Sequence, residues 1–206
     1  MLDRHIIPLI RPAVEAIARR LVRVGLRADH VTLAAFGIGI LAMICIAFRA
    51  YYMSAIFILL SRLCDALDGA VARQTVATDA GGFLDIALDF LFYAGIVLAF
   101  AFAAPKANAL PAAVLLMSFV GTISSFLAFA ALAAKRRITS MEYPDKSFYF
   151  LGGLAEATET LVVFIAMCIW PRWFPQFAYA FAALCAITTF TRIVGGYQTL
   201  QKSSEK

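Results

Sequence analysis

Carboxylates set inside long apolar stretches constrain this chain more than any other feature. A helix that crosses a bilayer needs about 20 mostly apolar residues. Six stretches have that character: 31–48, 50–72, 81–104, 109–134, 148–170 and 174–191. Three of them are interrupted by acids, namely Asp65 with Asp68, Asp85 with Asp89, and Glu156 with Glu159. A charge in hydrocarbon costs about 3 kcal/mol or more unless it meets a polar cavity, a partner or a metal. Six such costs in 206 residues demand an explanation beyond folding.

Composition supports the membrane reading. Apolar residues make up 63% of the chain, charged residues only 15%, and the mean hydropathy is +0.84. These values exclude an ordinary soluble domain and a disordered chain. The connections between stretches are short, so the expected fold is all-α, with six transmembrane helices in one antiparallel bundle. The expected organisation is an interfacial segment over 1–30, a catalytic transmembrane domain over 31–194 and a tail over 195–206.

The net charge of +5 informs topology here and does not point to nucleic acid. With the N-terminus in the cytoplasm, 15 of the 18 Lys and Arg fall inside. Arg49, Lys106 and Arg172 are the three outside. Both termini are therefore expected to be cytoplasmic. Arg62 and Arg73 belong to the inner set at the second-to-third junction.

Residues 6–24 read as an amphipathic helix lying on the inner membrane surface. Ile6, Ile10, Val14, Ile17 and Leu21 recur at helical spacing, with Arg11, Arg19, Arg20 and Arg23 on other faces. Pro8 and Pro12 limit how early such a helix starts. No signal peptide is recognisable, so the first span serves as the insertion signal. Cys45, Cys64, Cys168 and Cys185 lie in apolar stretches without metal-type spacing and read as buried free thiols.

Three arginines within or beside these stretches, Arg62, Arg73 and Arg192, cannot neutralise six carboxylates, which implies bound cations or protons. Asp65 and Asp68 are three apart and share a helix face. Asp85 and Asp89 are four apart on the next helix, at similar depth on an antiparallel neighbour. Four converging carboxylates suit hard divalent cations, and two Mg²⁺ ions balance their charge. The absence of nearby His or Cys argues against zinc. Gly69 lets a ligand approach the backbone, Ala72 keeps the face small, and Arg73 adds a cation for phosphate. Gly81 and Gly82 open the next helix. Small residues, one Arg and paired Asp suit a Mg²⁺–diphosphate site.

The run Asp65-x-x-Asp68-Gly69-x-x-Ala72-Arg73, followed by Gly81-x-x-x-Asp85-x-x-x-Asp89, resembles the signature of the CDP-alcohol phosphatidyltransferase family. All eight fixed positions carry the expected residue type. The family pattern usually has eight residues between Arg and Gly, and here 74–80 supplies seven. The shortening falls in the loop and leaves the choice between Gly81 and Gly82 open. The resemblance implies that Asp65, Asp68 and Asp85 are metal ligands and that Asp89 is the general base and a further ligand. It implies that Gly69, Ala72, Arg73 and Gly81 surround the cytidine diphosphate. Asp29-His30-Val31-Thr32 loosely resembles the segment that opens the first span in relatives, which makes Thr32 a candidate nucleotide contact.

The implied reaction is transfer of a phosphatidyl group from CDP-diacylglycerol to a small alcohol acceptor in phospholipid synthesis. The implied cofactor is Mg²⁺ or Mn²⁺, the implied assembly a homodimer, and the setting a bacterial inner membrane. Metal charge stabilises the attacked phosphorus and the departing CMP, and a carboxylate takes the acceptor's proton. Glu156 and Glu159 share a face about 12–17 Å into the fifth span. They read either as acceptor-site groups or as a structural pair neutralised by protons or Arg192. Lys135, Arg136 and Arg137 read as an acceptor-phosphate cluster or as plain topology signals. Two other readings compete: transfer from a CDP-amino alcohol to diacylglycerol, and an ion-coupled transporter. The shortness of the chain weighs against the first. The lack of a repeat and the shallow position of four acids weigh against the second.

Overall fold

A computed structural model of the protein describes residues 3–135 and 157–202, with side chains from 11 onward and to 201. The described residues form seven α-helices and contain no strand. They are α1 (Asp3–Arg23), α2 (Ala28–Ala47), α3 (Tyr51–Gln74), α4 (Asp79–Ala103), α5 (Pro105–Lys135), α6 (Ala157–Ile169) and α7 (Phe174–Lys202). A short 3₁₀ turn, Pro171–Trp173, joins the last two.

Four segments are long and apolar enough to cross a membrane: Ala28–Ala47, Asp79–Ala103, Pro105–Lys135 and Pro171–Gln201. The other two expected spans differ for separate reasons. At 24 residues α3 has the length, but Arg62, Asp65, Asp68 and Arg73 lower its apolar character. The described part of α6 is 13 residues, and the expected span's beginning at 148 lies outside the described residues. The last helix runs to Lys202, past the tail boundary expected at 195.

Helices α2 and α3 form a hairpin, α4 packs on its α2 arm, and α5 pairs with α7 and touches α4. Two hydroxyls seal the α2–α3 seam: Ser54 donates to the Ala42 carbonyl at 3.0 Å and Ser61 to that of Ala35 at 2.8 Å. Residues i and i+7 face one way on a helix, so both hydroxyls line the same seam. Gly39 is needed there because a Cβ would stand 2.6 Å from the Phe92 ring. At the far end of the hairpin, Arg49 donates to the Ala103 carbonyl at 2.9 Å and ties the turn to α4. The apolar core fills the half of the bundle away from the aspartates. It holds Ile46, Ile58, Phe92, Ile96, Phe100, Leu115 and Phe174, all fully buried. Phe100 and Phe174 stack with centroids 4.7 Å apart.

The first helix starts at Asp3, upstream of both prolines. A proline removes one backbone donor per site, and two such losses do not end a 21-residue helix that packs elsewhere. Val14 and Ala18 are buried against Leu67, Ala70 and Val71 of α3, and Gln74 donates to the Glu15 carbonyl at 3.3 Å. On its outer side Arg11 bonds Glu15 at 2.7 Å and holds that exposed carboxyl below the ordinary range. This helix is thus clamped to the end of α3 that carries the aspartates.

Candidate active site

The site is built where α2 begins, α3 ends and α4 begins. Helical spacing puts Asp65 and Asp68 on one face of α3, and Asp85 and Asp89 on one face of α4. Three of the four carboxylates converge: oxygen atoms of Asp65, Asp68 and Asp85 all lie within 4.8 Å of one another. Asp68 is 5% exposed, and its Oδ2 is buried without a hydrogen-bond partner among the described residues. An orphaned anionic oxygen facing two other carboxylates is unstable unless a cation joins them. The donor set is all oxygen, which fits Mg²⁺ or Mn²⁺.

Asp89 stands apart from this trio. Its Oδ1 accepts a hydrogen bond from Arg62 Nη1, which also lies 3.5 Å from Asp65 Oδ2. The guanidinium is largely enclosed, with 13% of its side chain exposed, and lies 4.0 Å above the Phe92 ring. Arg62 is therefore a site residue and not the loop cation that charge counting makes of it. Its signal in the sequence is its position one helical turn before Asp65.

A cavity of about 140 Å³ opens on one side of the trio. Its walls include Gly69, Ala72, Gly81, Thr32, Asp68 and Asp85. The two glycines differ in the space around them: a Cβ at Gly81 would stand 2.9 Å from Asp29 Oδ1 and 3.1 Å from Thr78 Oγ1, whereas one at Gly82 meets nothing within 4 Å. Thr78 caps α4 by accepting from the Gly81 amide at 3.0 Å, so the helix N-terminus faces this cavity. Thr32 is buried, and its hydroxyl donates to the Ala28 carbonyl at 3.1 Å. Arg73 is exposed in the last turn of α3, with a guanidinium nitrogen 3.4 Å from where a Gly69 Cβ would be. Asp29 also lines the cavity and is a contact that sequence reasoning does not reach.

A second cavity, of about 350 Å³, opens on the other side between α4, α5, α6 and α7. Asp89 lines it, together with Tyr93, Phe126, Thr160 and Arg192. Arg192 donates to the Thr122 carbonyl at 3.2 Å and lies 5.6 Å from the Phe126 ring. Glu159 falls in the first turn of α6, near this cavity's Ala157 and Thr160. Glu156, Arg136 and Arg137 lie outside the described residues, and Lys135 ends α5.

The chain is similar to known proteins. The family model described as CDP-alcohol phosphatidyltransferase matches residues 26–193. The chain is 53% identical over 201 residues to inner membrane protein YnjF of Escherichia coli (strain K12), covering 98% of both chains. Two crystal structures of Mycobacterium tuberculosis phosphatidylinositol phosphate synthase share the fold. One, with CDP-DAG bound, gives a TM-score of 0.65 at 21% identity, covering 89% of this chain and 93% of that one. The other, in complex with manganese and citrate, gives 0.66 at 20% identity, covering 89% and 88%.

Proposed function

The chain belongs to the CDP-alcohol phosphatidyltransferase family, and from that premise we propose that it moves a phosphatidyl group from CDP-diacylglycerol to a small alcohol, releasing CMP. One observation carries the reading. Asp68 and Asp85 of the carboxylate trio line the first cavity, and Asp89, one turn on from Asp85, lines the second. A donor and an acceptor in separate cavities meet at the trio. The CDP-DAG-bound synthase of similar fold supports the choice of donor.

In this reading Asp65, Asp68 and Asp85 hold a divalent ion. When bound, that ion supplies positive charge to the diphosphate oxygens. Gly69, Ala72, Gly81 and Thr32 leave room for the cytidine diphosphate, and Arg73 faces its phosphates. The N-terminus of α4 adds its partial positive charge to the same cavity. Asp89 takes the proton of the acceptor hydroxyl as that oxygen bonds the β-phosphorus. The phosphoanhydride bond breaks, and CMP leaves with the bond's electron pair. Glu159 contacts the acceptor's polar groups, and Glu156 shares that role.

The chain is proposed to cross a bacterial inner membrane six times, with α1 at the inner surface, both termini cytoplasmic and two copies paired. The proposed domains are the interfacial segment 1–30, the catalytic bundle 31–194 and the tail 195–206. The test is CMP release by purified protein given CDP-diacylglycerol, Mg²⁺ and labelled glycerol 3-phosphate, serine or inositol. Acceptor-dependent CMP release that stops in chelator supports the reading. Absence of CMP with every acceptor, or full rates in chelator, sinks it.

A further inference from the structure

Helices α3 and α4 both pack on α2, and their own backbones barely approach each other. The placing of Asp89 against the aspartates of α3 is therefore indirect, except where Arg62 reaches across. Its Nη1 donates to Asp89 Oδ1 and lies 3.5 Å from Asp65 Oδ2, so one nitrogen stands between an acid of each helix. The contact with Asp89 is the closer one, and it is the hydrogen bond that Asp89 accepts among the described residues. The guanidinium itself is fixed. Phe92 covers one face at 4.0 Å, Tyr93 lies 5.5 Å away, and Nη2 is 3.5 Å from a Ser61 hydroxyl anchored on the Ala35 carbonyl. Asp89 has no such walls: it borders the cavity of about 350 Å³, and 28% of its side chain is exposed. A carboxylate at the edge of so wide a space has several rotamers open to it unless a partner holds one oxygen.

We propose that Arg62 is a positioning residue for the acceptor-side acid: it holds Asp89 by Oδ1 and leaves Oδ2 to take the proton of the acceptor hydroxyl. The proposal rests on the reading of Asp89 as the base, and it is independent of how many ions the aspartates hold. Oδ1 stays engaged because only 13% of the Arg62 side chain is exposed, and parting the pair would strand an enclosed charge. The gain is in orientation, since an error of about 1 Å in placing a reacting group costs about 10²-fold in rate. A lysine cannot take over in full. Its ammonium is a point donor, whereas the guanidinium is a planar fork that lies on the Phe92 ring while it donates.

The experiment measures kcat, both KM values and the melting temperature of the full chain in detergent, following CMP release from CDP-diacylglycerol. The proteins are the wild type, Arg62→Met, Arg62→Lys, Asp89→Asn and the double variant Arg62→Met with Asp89→Asn. Arg62→Met keeps the length and the contact with Phe92 but has no donor. It is expected to lower kcat by about 10²-fold, with the KM for CDP-diacylglycerol changed by less than about threefold. Arg62→Lys should fall between it and the wild type, and it carries the test if Arg62→Met fails to fold. In the double variant the losses should not multiply. With no base left to orient, Arg62→Met should cost less than about threefold beyond Asp89→Asn. Losses that multiply, or an unchanged kcat with a lowered melting temperature, make Arg62 a structural tie and overturn the proposal while phosphatidyl transfer stands. A rise of about tenfold or more in the KM for CDP-diacylglycerol also overturns it, by assigning Arg62 to Asp65 and the donor. If the wild type releases no CMP, the proposal falls together with the reading it rests on.

Discussion

The two halves of the α2–α3–α4 assembly use the same helices for opposite ends. At the hairpin end, Ile46, Ile58, Ile96 and Phe100 fill the space between helices with no exposure at all. At the other end, Asp65, Asp68, Asp85 and Asp89 hold the helices around gaps and cavities. Close packing gives one half its stability, and the other half uses that rigidity to keep like charges together. Phe92 belongs to both, being fully buried in the core and carrying Arg62 on its ring.

The largest expected effect breaks the charged half alone. Asp65→Asn, Asp68→Asn and Asp85→Asn should each lower CMP release by about 10³-fold or more while leaving the melting temperature unchanged or raised. A raised temperature follows because each substitution removes one of three mutually repelling carboxylates. An active Asp68→Asn protein would remove the orphaned Oδ2 from the mechanism.

Phe92→Ala strikes both halves. It should cost about 3–5 kcal/mol of stability through its cavity, and it also frees Arg62 from its ring. Lower melting temperature together with lower turnover is expected; a purely thermal defect would show that the halves are independent. A smaller effect comes from Gly39→Val, which forces α2 off the Phe92 ring and should cost about 1–3 kcal/mol. Its turnover per folded molecule should fall too, because α2 carries Thr32 into the site. At the apolar end Asn108 donates to the Phe100 carbonyl at 2.8 Å, and Asn108→Ala should cost about 1–2 kcal/mol without touching kinetics. The smallest effect is expected from Glu159→Gln: a several-fold rise in acceptor KM, with the KM for CDP-diacylglycerol unchanged. A shift in melting temperature with unaltered acceptor KM would make Glu159 structural.

Much of the charged half was legible in the chain because it obeys local rules. Spacings of three and four put paired aspartates on one face, and a helix fixes that arrangement whatever surrounds it. Hydropathy over about 20 residues marked the spanning stretches for the same reason: the bilayer tests one segment at a time. The pairing of Arg62, one of three arginines that the sequence offered to the acids, with Asp89 in particular was not legible. It joins residues 27 positions apart, and charge counting treats every arginine near a span's end alike. Nor was the role of α1, whose Val14 and Ala18 are the kind of residues that suit lipid or protein equally.

Sequence by itself determined that apolar helices would carry six acids, which of those acids share a face, and that Gly69, Ala72, Arg73 and one of two glycines would accompany them. Tertiary structure decided which acids meet. It drew Asp65, Asp68 and Asp85 together and gave Asp89 to Arg62. It also set the side-chain oxygens of Asp29 and Thr78 close to Gly81 and left open space at Gly82. The reason is geometric: periodicity fixes directions around one helix axis. Distances between helices depend on how side chains such as Phe92 and Gly39 pack, and that is set by the whole bundle at once.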